Sequence, residues 1–252
     1  TFAFEAIYFA SAIVPGVLGS WITIPHPEVV EILSMNDFDW FLFDMEHAPI
    51  TVEILENLLR AKSEKITSIV RVPKNDLVYI KQALDIGSCG VMVPMVNDVK
   101  EASMAVSYSK YPPIGIRGTG ARRASGYYIK QDEYLKNANA ETTVIVQIET
   151  AQAVNNFESI ISKDGVDGWF IGPNDLAASL GHLGDPSSPV VMEAMDRMLK
   201  IGKKVGKPGG TLAFNVKQAK ALIKKGFTIM AVSSDDFLIY KAANDLLKSF
   251  IY

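Results

Sequence analysis

The sequence alternates eight short apolar runs with stretches of helical period along most of its length. Most of these runs are continuously apolar, which is typical of parallel strands covered by helices on both faces. The predicted strands are Val17 to Ile24, Phe38 to Phe43, Ser68 to Val72, Val91 to Val96, Val144 to Ile148, Gly168 to Ile171, Pro208 to Leu212 and Thr228 to Val232. Eight strand–helix repeats predict a (β/α)₈ TIM barrel, with a doubly wound open sheet as the alternative. No GxGxxG motif follows the first strand, which weakens the open-sheet alternative.

Helical patterns lie between the predicted strands. Thr51 and Asp76 each precede such a pattern and are candidate N-caps. A stripe at helical spacing is predicted to be core rather than a binding surface, and it consists of Met192, Met195, Met198 and Leu199. The last helix is predicted to run from about Asp236 to Phe250.

Length and composition exclude several classes of protein. The chain has 252 residues, 48% of them apolar, which suits a single barrel domain over residues 1–252. Its 25 basic and 28 acidic residues form no basic stripe, so no nucleic-acid partner is expected. The one cysteine, Cys89, excludes an internal disulfide and a Cys-rich zinc site, and it fits a cytoplasmic protein. No run approaches the ~20 apolar residues of a membrane span, so no membrane partner is expected.

Two segments depart from the repeat. Phe2 to Val14 is apolar but lacks the basic start of a signal peptide, so a packed first helix is predicted there. Tyr111 to Tyr128 is rich in glycine and proline, and so long a loop in a compact domain is usually a functional lid or disordered. Its residues Arg122 and Arg123 are predicted to be solvated charges, with recognition of a distal substrate carboxylate as the alternative.

Polar side chains end four of the predicted strands. Function in a barrel gathers at the carboxyl ends of the strands, and a charged group beside an apolar run is costly unless it is paired or solvated. The four clusters therefore predict one shared polar mouth. They are Asp44-Met45-Glu46-His47, Arg71-Val72-Pro73, Gln147-Ile148-Glu149 and Gly172-Pro173-Asn174-Asp175.

Glu149 and Asp175 are the candidates for a metal site, on successive predicted strands. Two carboxylates, with water and substrate in the remaining positions, suit a hard divalent ion such as Mg²⁺ or Mn²⁺. The alternative is that Glu149 pairs with an arginine while Asp175 caps a helix from Asp175 to Leu180.

Asp44 and His47 are the candidates for acid–base chemistry. Where the chain turns at Pro49, an aspartate can fix the tautomer of an imidazole that works near neutral pH, whereas the alternative is a histidine that caps the strand end. Arg71 can either pair with a strand-end carboxylate or stabilise a developing oxyanion. The helix opened by Gly172 to Asp175 presents free N–H groups to a small carboxylate or phosphate.

Six motifs follow one another from about Gly16 to the last predicted helix. They are FDWFLFDMEHAP, RVPKND, YPPIGIRG, VQIET, GVDGWFIGPNDLAASLGHLG and GKPGG. Together they resemble the HpcH/HpaI aldolase family of metal-dependent, class II pyruvate aldolases. The resemblance implies a barrel of the phosphoenolpyruvate/pyruvate type whose last helix is swapped with a neighbour, in a homohexamer built as a trimer of dimers.

The activity implied by the resemblance is the reversible cleavage of a 4-hydroxy-2-oxo acid into pyruvate and an aldehyde. The implied cofactor is Mg²⁺, Mn²⁺ or Co²⁺ on Glu149 and Asp175, with no organic cofactor. In that mechanism Arg71 holds the keto oxygen as it becomes an enolate, and His47, oriented by Asp44, moves the proton.

Further residues are implied to line the substrate pocket. The backbone amides of Asn174 and Asp175 would receive the carboxylate of pyruvate, and Ser125 would come from an adjacent subunit to shape the acceptor end. The pocket residues are Gln147, Gly172, Pro173, Asn174, Ser125 and Leu212, with Glu46 behind the groups that touch substrate. A CoA-thioester lyase of the citryl- or malyl-CoA type and a non-catalytic barrel that binds a 2-oxo acid are the alternatives.

Overall fold

The computed structural model describes residues 16–250, which form a closed barrel of eight parallel strands in sequential order. The strands are β1 Val17–Ile22, β2 Trp40–Asp44, β3 Thr67–Arg71, β4 Gly90–Val93, β5 Thr143–Ile148, β6 Gly168–Ile171, β7 Gly209–Ala213 and β8 Ile229–Ser234. Pairing of β1 with β8 closes the sheet, which confirms the (β/α)₈ barrel and excludes the open-sheet alternative. All eight predicted strands are confirmed, with ends that differ by a few residues. The predicted first helix lies outside the described residues.

Helices follow the strands and surround the barrel. Over the described residues they are α1 Pro27–Ser34, α2 Val52–Ala61, α3 Leu77–Asp85, α4 Val99–Ser109, α5 Gln131–Glu141, α6 Ala151–Asn155, α7 Phe157–Ile161, α8 Pro173–Ser179, α9 Pro189–Val205, α10 Val216–Lys225 and α11 Asp235–Phe250. The predicted N-caps are confirmed, because the side chain of Thr51 accepts from Ile54 N and that of Asp76 accepts from Val78 N. Between residues 16 and 250, no helix is both long and apolar enough to cross a bilayer.

Alternate residues of the strands fill the inside of the barrel. The apolar ones are Val17, Trp21, Trp40, Leu42, Ile69, Met92, Ile145, Phe170, Ile229 and Ala231. Side chains alternate along a strand, so the residue two places beyond an inward-facing one also faces inward. By this rule Asp44, Arg71 and Gln147 point into the barrel at its carboxyl end, here called the mouth.

A larger core lies between the strands and the helices. Met195 and Met198 are buried in it on α9, which confirms that the methionine stripe is core. Trp169 packs so closely on β7 that a Cβ at Gly209 would lie 2.1 Å from the indole ring. Packing at the amino end of the barrel therefore requires a glycine at position 209, within the GKPGG motif.

The segment from Tyr111 to Tyr128 is a series of turns held by a buried arginine. Arg117 donates to Oδ1 of Asp85 at 2.8 Å and to the hydroxyl of Tyr134 at 3.0 Å, and its guanidinium lies 4.6 Å from the ring centroid of Tyr111. Asp85 ends α3, and barrel helices run antiparallel to their strands, so this anchor lies at the amino end of the barrel. The segment is therefore ordered by these contacts, against the expectation of disorder, and it does not cover the mouth of its own protomer.

The last helix, α11, exposes apolar side chains along much of its length. Ile239, Leu246 and Phe250 are 56%, 61% and 80% exposed. The predicted start at about Asp236 is confirmed to within one residue. An exposed apolar face of this size is a feature of surfaces that contact another molecule.

Candidate active site at the mouth of the barrel

Glu149 is a buried carboxylate whose negative charge is only partly compensated. It directly follows β5 and is 3% exposed. Its Oε1 accepts from Nε2 of Gln147 at 2.6 Å, and its Oε2 accepts from the backbone N–H of Met95 at 3.0 Å. Burial raises the pKa of Glu149 to about 7, and the nearby charges of Glu46 and Asp175 add to the rise. A cation beside Glu149 would supply the missing charge.

The space beside this carboxylate depends on Gly172. A Cβ at Gly172 would lie 2.5 Å from Oε1 of Glu149, so only glycine leaves room for the carboxylate. Gly172 is also the N-cap of α8, and Pro173 is its first residue, which confirms the predicted helix start at the GPND sequence. Asn174 and Asp175 follow in the first turn and are exposed.

Neither alternative role for the two acidic residues holds in the structure. Asp175 does not cap a helix that begins at its own position, because the helix begins two residues earlier, at Pro173. Within the described part of the chain, no arginine forms an ion pair with Glu149. Asp175 instead lies near enough for its charge to raise the pKa of both Glu46 and Glu149.

Arg71 is fixed at the end of β3 by two carboxylates. Its Nε and Nη2 donate to Oδ1 and Oδ2 of Asp44 at 2.9 and 2.6 Å, and its Nη1 lies 3.3 Å from Oε2 of Glu46. The guanidinium also lies 5.4 Å from the ring centroid of Trp21. Burial works against its charge, but the bonds to Asp44 outweigh burial and raise the pKa of Arg71. The structure thus holds a permanent positive charge, in a fixed orientation, at the mouth.

The predicted contact between Asp44 and the imidazole of His47 is wrong. Arg71 engages both carboxylate oxygens of Asp44, and Oδ1 also accepts the backbone N–H groups of Glu46 and His47 at 3.0 and 3.3 Å. Asp44 therefore orients the backbone at His47 and not its ring. The imidazole is 66% exposed, and its Nε2 lies 3.8 Å from Oε2 of Glu46.

The other predicted site residues lie in two places. Leu212, on β7, is half-buried and packs against the inner core at the mouth. Ser125 is buried in the turns at the amino end, where its Oγ donates to the carbonyl of Arg122 at 3.2 Å, so it does not belong to the site of its own protomer. Arg122 is exposed, as predicted, whereas Arg123 donates to the carbonyl of Ile86 at 2.6 Å.

Three residues near the site have no counterpart in the sequence prediction. Trp21 could have been found by extending the inward alternation of β1 to its carboxyl end. Met95 contributes a backbone N–H to Glu149, and Asn97 bonds the carbonyl of Met95 at 2.7 Å. Backbone donors carry no signal in the identity of their side chain, so no motif could indicate Met95.

The oxygen donors at the mouth fit a divalent ion. Across residues 16–250, no group of three or more His, Cys, Asp or Glu side chains is placed to hold an ion, so a site here would rest on two carboxylates. Glu149 and Asp175 are the candidates for those carboxylates. Oε1 of Gln147 is a further buried oxygen, and it has no hydrogen-bond partner among the described residues. Hard oxygen donors of this kind are preferred by Mg²⁺ and Mn²⁺.

Without a metal ion, the protein is expected to lose stability as the pH rises from about 4.5 to about 7. The pKa of Glu149 is about 7 in the folded state against 4.5 for an ordinary glutamate, so the stabilisation by its proton is full below 4.5 and is lost as the pH rises through 7. The difference corresponds to about 3 kcal/mol. Urea unfolding in EDTA at pH 5 and pH 8 measures it.

The matched variants for this measurement are Glu149→Gln and Glu28→Gln. Glu149→Gln should remove most of the fall in stability between the two pH values. Glu28→Gln changes a side chain that is 79% exposed, so it should leave the fall in stability unchanged. An unchanged fall in Glu149→Gln would contradict the assignment of the effect to Glu149.

A closed parallel barrel with buried carboxylates and a fixed arginine at its mouth has the architecture of a barrel enzyme. The profile of the HpcH/HpaI aldolase/citrate lyase family matches residues 18–242. The chain belongs to this family, which confirms the resemblance seen in its motifs.

Relatives and solved structures agree with that membership. The chain is 38% identical to the 5-keto-4-deoxy-D-glucarate aldolase of Klebsiella pneumoniae, over 92% of this chain and 91% of that protein. It is 34% identical to an HpcH/HpaI aldolase/citrate lyase family protein of Burkholderia cenocepacia, with a TM-score of 0.94 over 98% of this chain and 99% of that chain. A Mycobacterium tuberculosis CitE structure with magnesium and pyruvate shares the fold, with a TM-score of 0.60, 16% identity and coverage of 90% and 88%.

Proposed function

We propose that this protein is a divalent-metal-dependent aldolase that reversibly cleaves a 4-hydroxy-2-oxo acid into pyruvate and an aldehyde. The observation that carries the proposal is that two groups lie at the same mouth. One is Glu149, a buried carboxylate whose negative charge is only partly compensated, and the other is the fixed cation Arg71. The relatives named 5-keto-4-deoxy-D-glucarate aldolase favour a sugar-derived dicarboxylic acid as substrate. Cleavage of such an acid gives pyruvate and a short aldehyde that carries a carboxylate.

Glu149 and Asp175 would hold a Mg²⁺, Mn²⁺ or Co²⁺ ion. The ion would supply Lewis acidity to the 2-oxo acid and polarise its keto group. The residues present fit this use, since both are oxygen donors and Glu149 is a buried carboxylate whose pKa is raised to about 7, chiefly by burial. The magnesium and pyruvate in the distantly similar CitE structure are consistent with such a site.

This chain's own residues would bind the substrate and handle its charge. The backbone N–H groups of Asn174 and Asp175, at the start of α8 and free of any side-chain cap, would receive the carboxylate of pyruvate. Gln147 and Gly172 would form the wall beside it, and Leu212 would shape the acceptor end.

Cleavage itself requires one proton transfer and one stabilised anion. His47 would take the proton of the C4 hydroxyl, after which the C3–C4 bond breaks, C4 becomes the aldehyde carbon and the electron pair passes into the enolate of pyruvate. Arg71 would stabilise the enolate oxygen with its permanent charge. A proton added at C3 then completes pyruvate. Asp44 contributes by holding Arg71 and the backbone before His47, and Glu46 by lying between Arg71 and the imidazole.

A chelator assay tests the proposal. Retro-aldol activity on a panel of 4-hydroxy-2-oxo acids, 5-keto-4-deoxy-D-glucarate among them, should disappear in EDTA and return with Mn²⁺ or Mg²⁺. A Schiff-base aldolase would instead be trapped with pyruvate by borohydride. It needs a buried lysine, and Lys74, which lies past β3, has a side chain that is 64% exposed. Activity that survives EDTA, or a borohydride-trapped adduct, would refute the metal-dependent route.

A second candidate, a CoA-thioester lyase, is favoured by the citrate lyase members of the family. The same panel, extended with citryl- and malyl-CoA, separates it from the aldolase. A barrel that only binds pyruvate would show binding by calorimetry without exchange of the C3 protons of pyruvate in D₂O.

The protein is further proposed to act as a hexamer, a trimer of dimers with swapped last helices. The apolar face of α11 supports this, as does an apolar groove outside the barrel lined in part by Leu18, Phe38, Ile223 and Val232. Ser125 would then reach the site of a neighbour, since it is far from its own. Sedimentation velocity should show one species of hexamer mass, and a monomer would refute this part of the proposal.

A further inference from the structure

Asn97 uses every one of its polar groups between β4 and α4. Its backbone N–H donates to Oε2 of Glu101 at 2.7 Å, and its carbonyl accepts from Nδ2 of Asn156 at 2.9 Å. Its side-chain Nδ2 donates to the carbonyl of Met95 at 2.7 Å, and its Oδ1 accepts from the hydroxyl of Thr150. The side-chain amide of Asn97 thus joins the turn after β4 to Thr150, which directly follows Glu149.

The turn that Asn97 holds is strained. Met95 has a φ of 55°, in the left-handed region, which residues other than glycine and asparagine rarely adopt. Packing of its side chain does not explain this conformation, because Met95 is 48% exposed. In this conformation the backbone N–H of Met95 donates to Oε2 of Glu149 at 3.0 Å. Strain of this kind persists only where surrounding contacts hold it.

We propose that Asn97 is a positioning residue for the divalent-ion site, which acts by holding Met95 in the left-handed conformation that orients Glu149. The inference rests on the proposed role of Glu149 as a ligand. Outer groups that hydrogen-bond a metal ligand fix its direction, and their loss typically weakens metal binding by about 10- to 100-fold. Asn97 acts one step further out than the N–H itself, so the low end of that range is expected.

The test measures Mn²⁺ binding to the full chain by the electron paramagnetic resonance signal of free Mn²⁺, which does not depend on turnover. Asn97→Ala should raise the Kd roughly tenfold. Asn139→Ala is the matched control. Its side-chain amide also makes two hydrogen bonds, to the backbone N–H and carbonyl of Tyr111 at 2.7 and 3.0 Å, but at the amino end of the barrel. Its Kd should equal that of the wild type.

A second pair of variants tests the conformation of Met95 and does not depend on the folding of Asn97→Ala. Met95→Val and Met95→Gly both remove the exposed thioether. Valine is strongly disfavoured at positive φ and glycine is not, so Met95→Val should weaken Mn²⁺ binding several-fold relative to Met95→Gly.

The outcomes separate this inference from the proposed function. A wild-type protein that binds no Mn²⁺ would overturn the metal site, and the inference with it. Wild-type binding together with an unchanged Kd in Asn97→Ala, or equal Kd values in the two Met95 variants, would overturn the inference alone.

Discussion

Replacing Arg71 by alanine is expected to lower kcat of the retro-aldol reaction by roughly two to three orders of magnitude. Removal of one preorganised donor to a developing oxyanion typically costs about 2.7–4 kcal/mol of barrier. Arg71 meets the requirement for preorganisation, because two bonds to Asp44 fix its guanidinium before substrate arrives. Steady-state kinetics on the best substrate of the panel, with Mn²⁺ present, measure the effect.

Whether the loss of activity appears in kcat or in KM distinguishes a catalytic role of Arg71 from a folding defect. An interaction made only with the enolate lowers kcat and kcat/KM together. Arg71→Lys keeps a charge but cannot make the paired bonds to Asp44, so it should recover only part of the rate. Arg60→Ala, which removes an arginine half-exposed on α2 and paired with Glu56 at 2.6 Å, should leave kcat unchanged. A near-wild-type kcat in Arg71→Ala would refute the role in enolate stabilisation.

The barrel was predictable because its determinants are local in the chain. Each apolar run is one strand, and each polar cluster lies at the end of one, so the sequence alone places Asp44 of β2 and Arg71 of β3 at a common mouth. The helix starts at Thr51 and Asp76 were equally predictable, because an N-cap depends only on residues within one helical turn.

Contacts between strands were less predictable, and the acid–base group shows why. Asp44 and His47 are close in sequence, which favours a pairing of their side chains. In the fold, Arg71 stands on the neighbouring strand with Asp44 directly opposite, and its planar fork takes both carboxylate oxygens. Whether Asp44 pairs with His47 or with Arg71 depends on the register between β2 and β3. The sequence alone does not give that register.

The place of the segment around Ser125 could not be predicted, for a related reason. Its length and its glycines indicate a loop, but its position follows from the buried Arg117 that binds Asp85 on another helix. That contact carries the segment to the amino end of the barrel, away from the mouth of its own protomer. An anchor between distant parts of the chain has no local pattern, so the sequence left a functional lid and a disordered loop equally open.

Replacing Glu149 by glutamine is expected to abolish measurable Mn²⁺ binding and to lower the retro-aldol rate by roughly three orders of magnitude or more, since Lewis-acid assistance supplies several kcal/mol. Glutamine keeps the size of the side chain and can still accept from Met95, so the fold should survive. The loss then reports the missing negative charge. Asp175→Asn should behave in the same way, because two carboxylates share the proposed ion.

The control for Glu149→Gln is Asp167→Asn, at the other end of the barrel. Asp167 also has a pKa raised by burial, and it accepts a backbone N–H, that of Val144 at 2.8 Å, next to Lys110. Because a general loss of buried negative charge would affect both variants, only a site-specific role predicts that Mn²⁺ binding fails in Glu149→Gln and persists in Asp167→Asn. Mn²⁺ binding that is equal in the two variants would contradict the assignment of the ion to Glu149, whatever their activities.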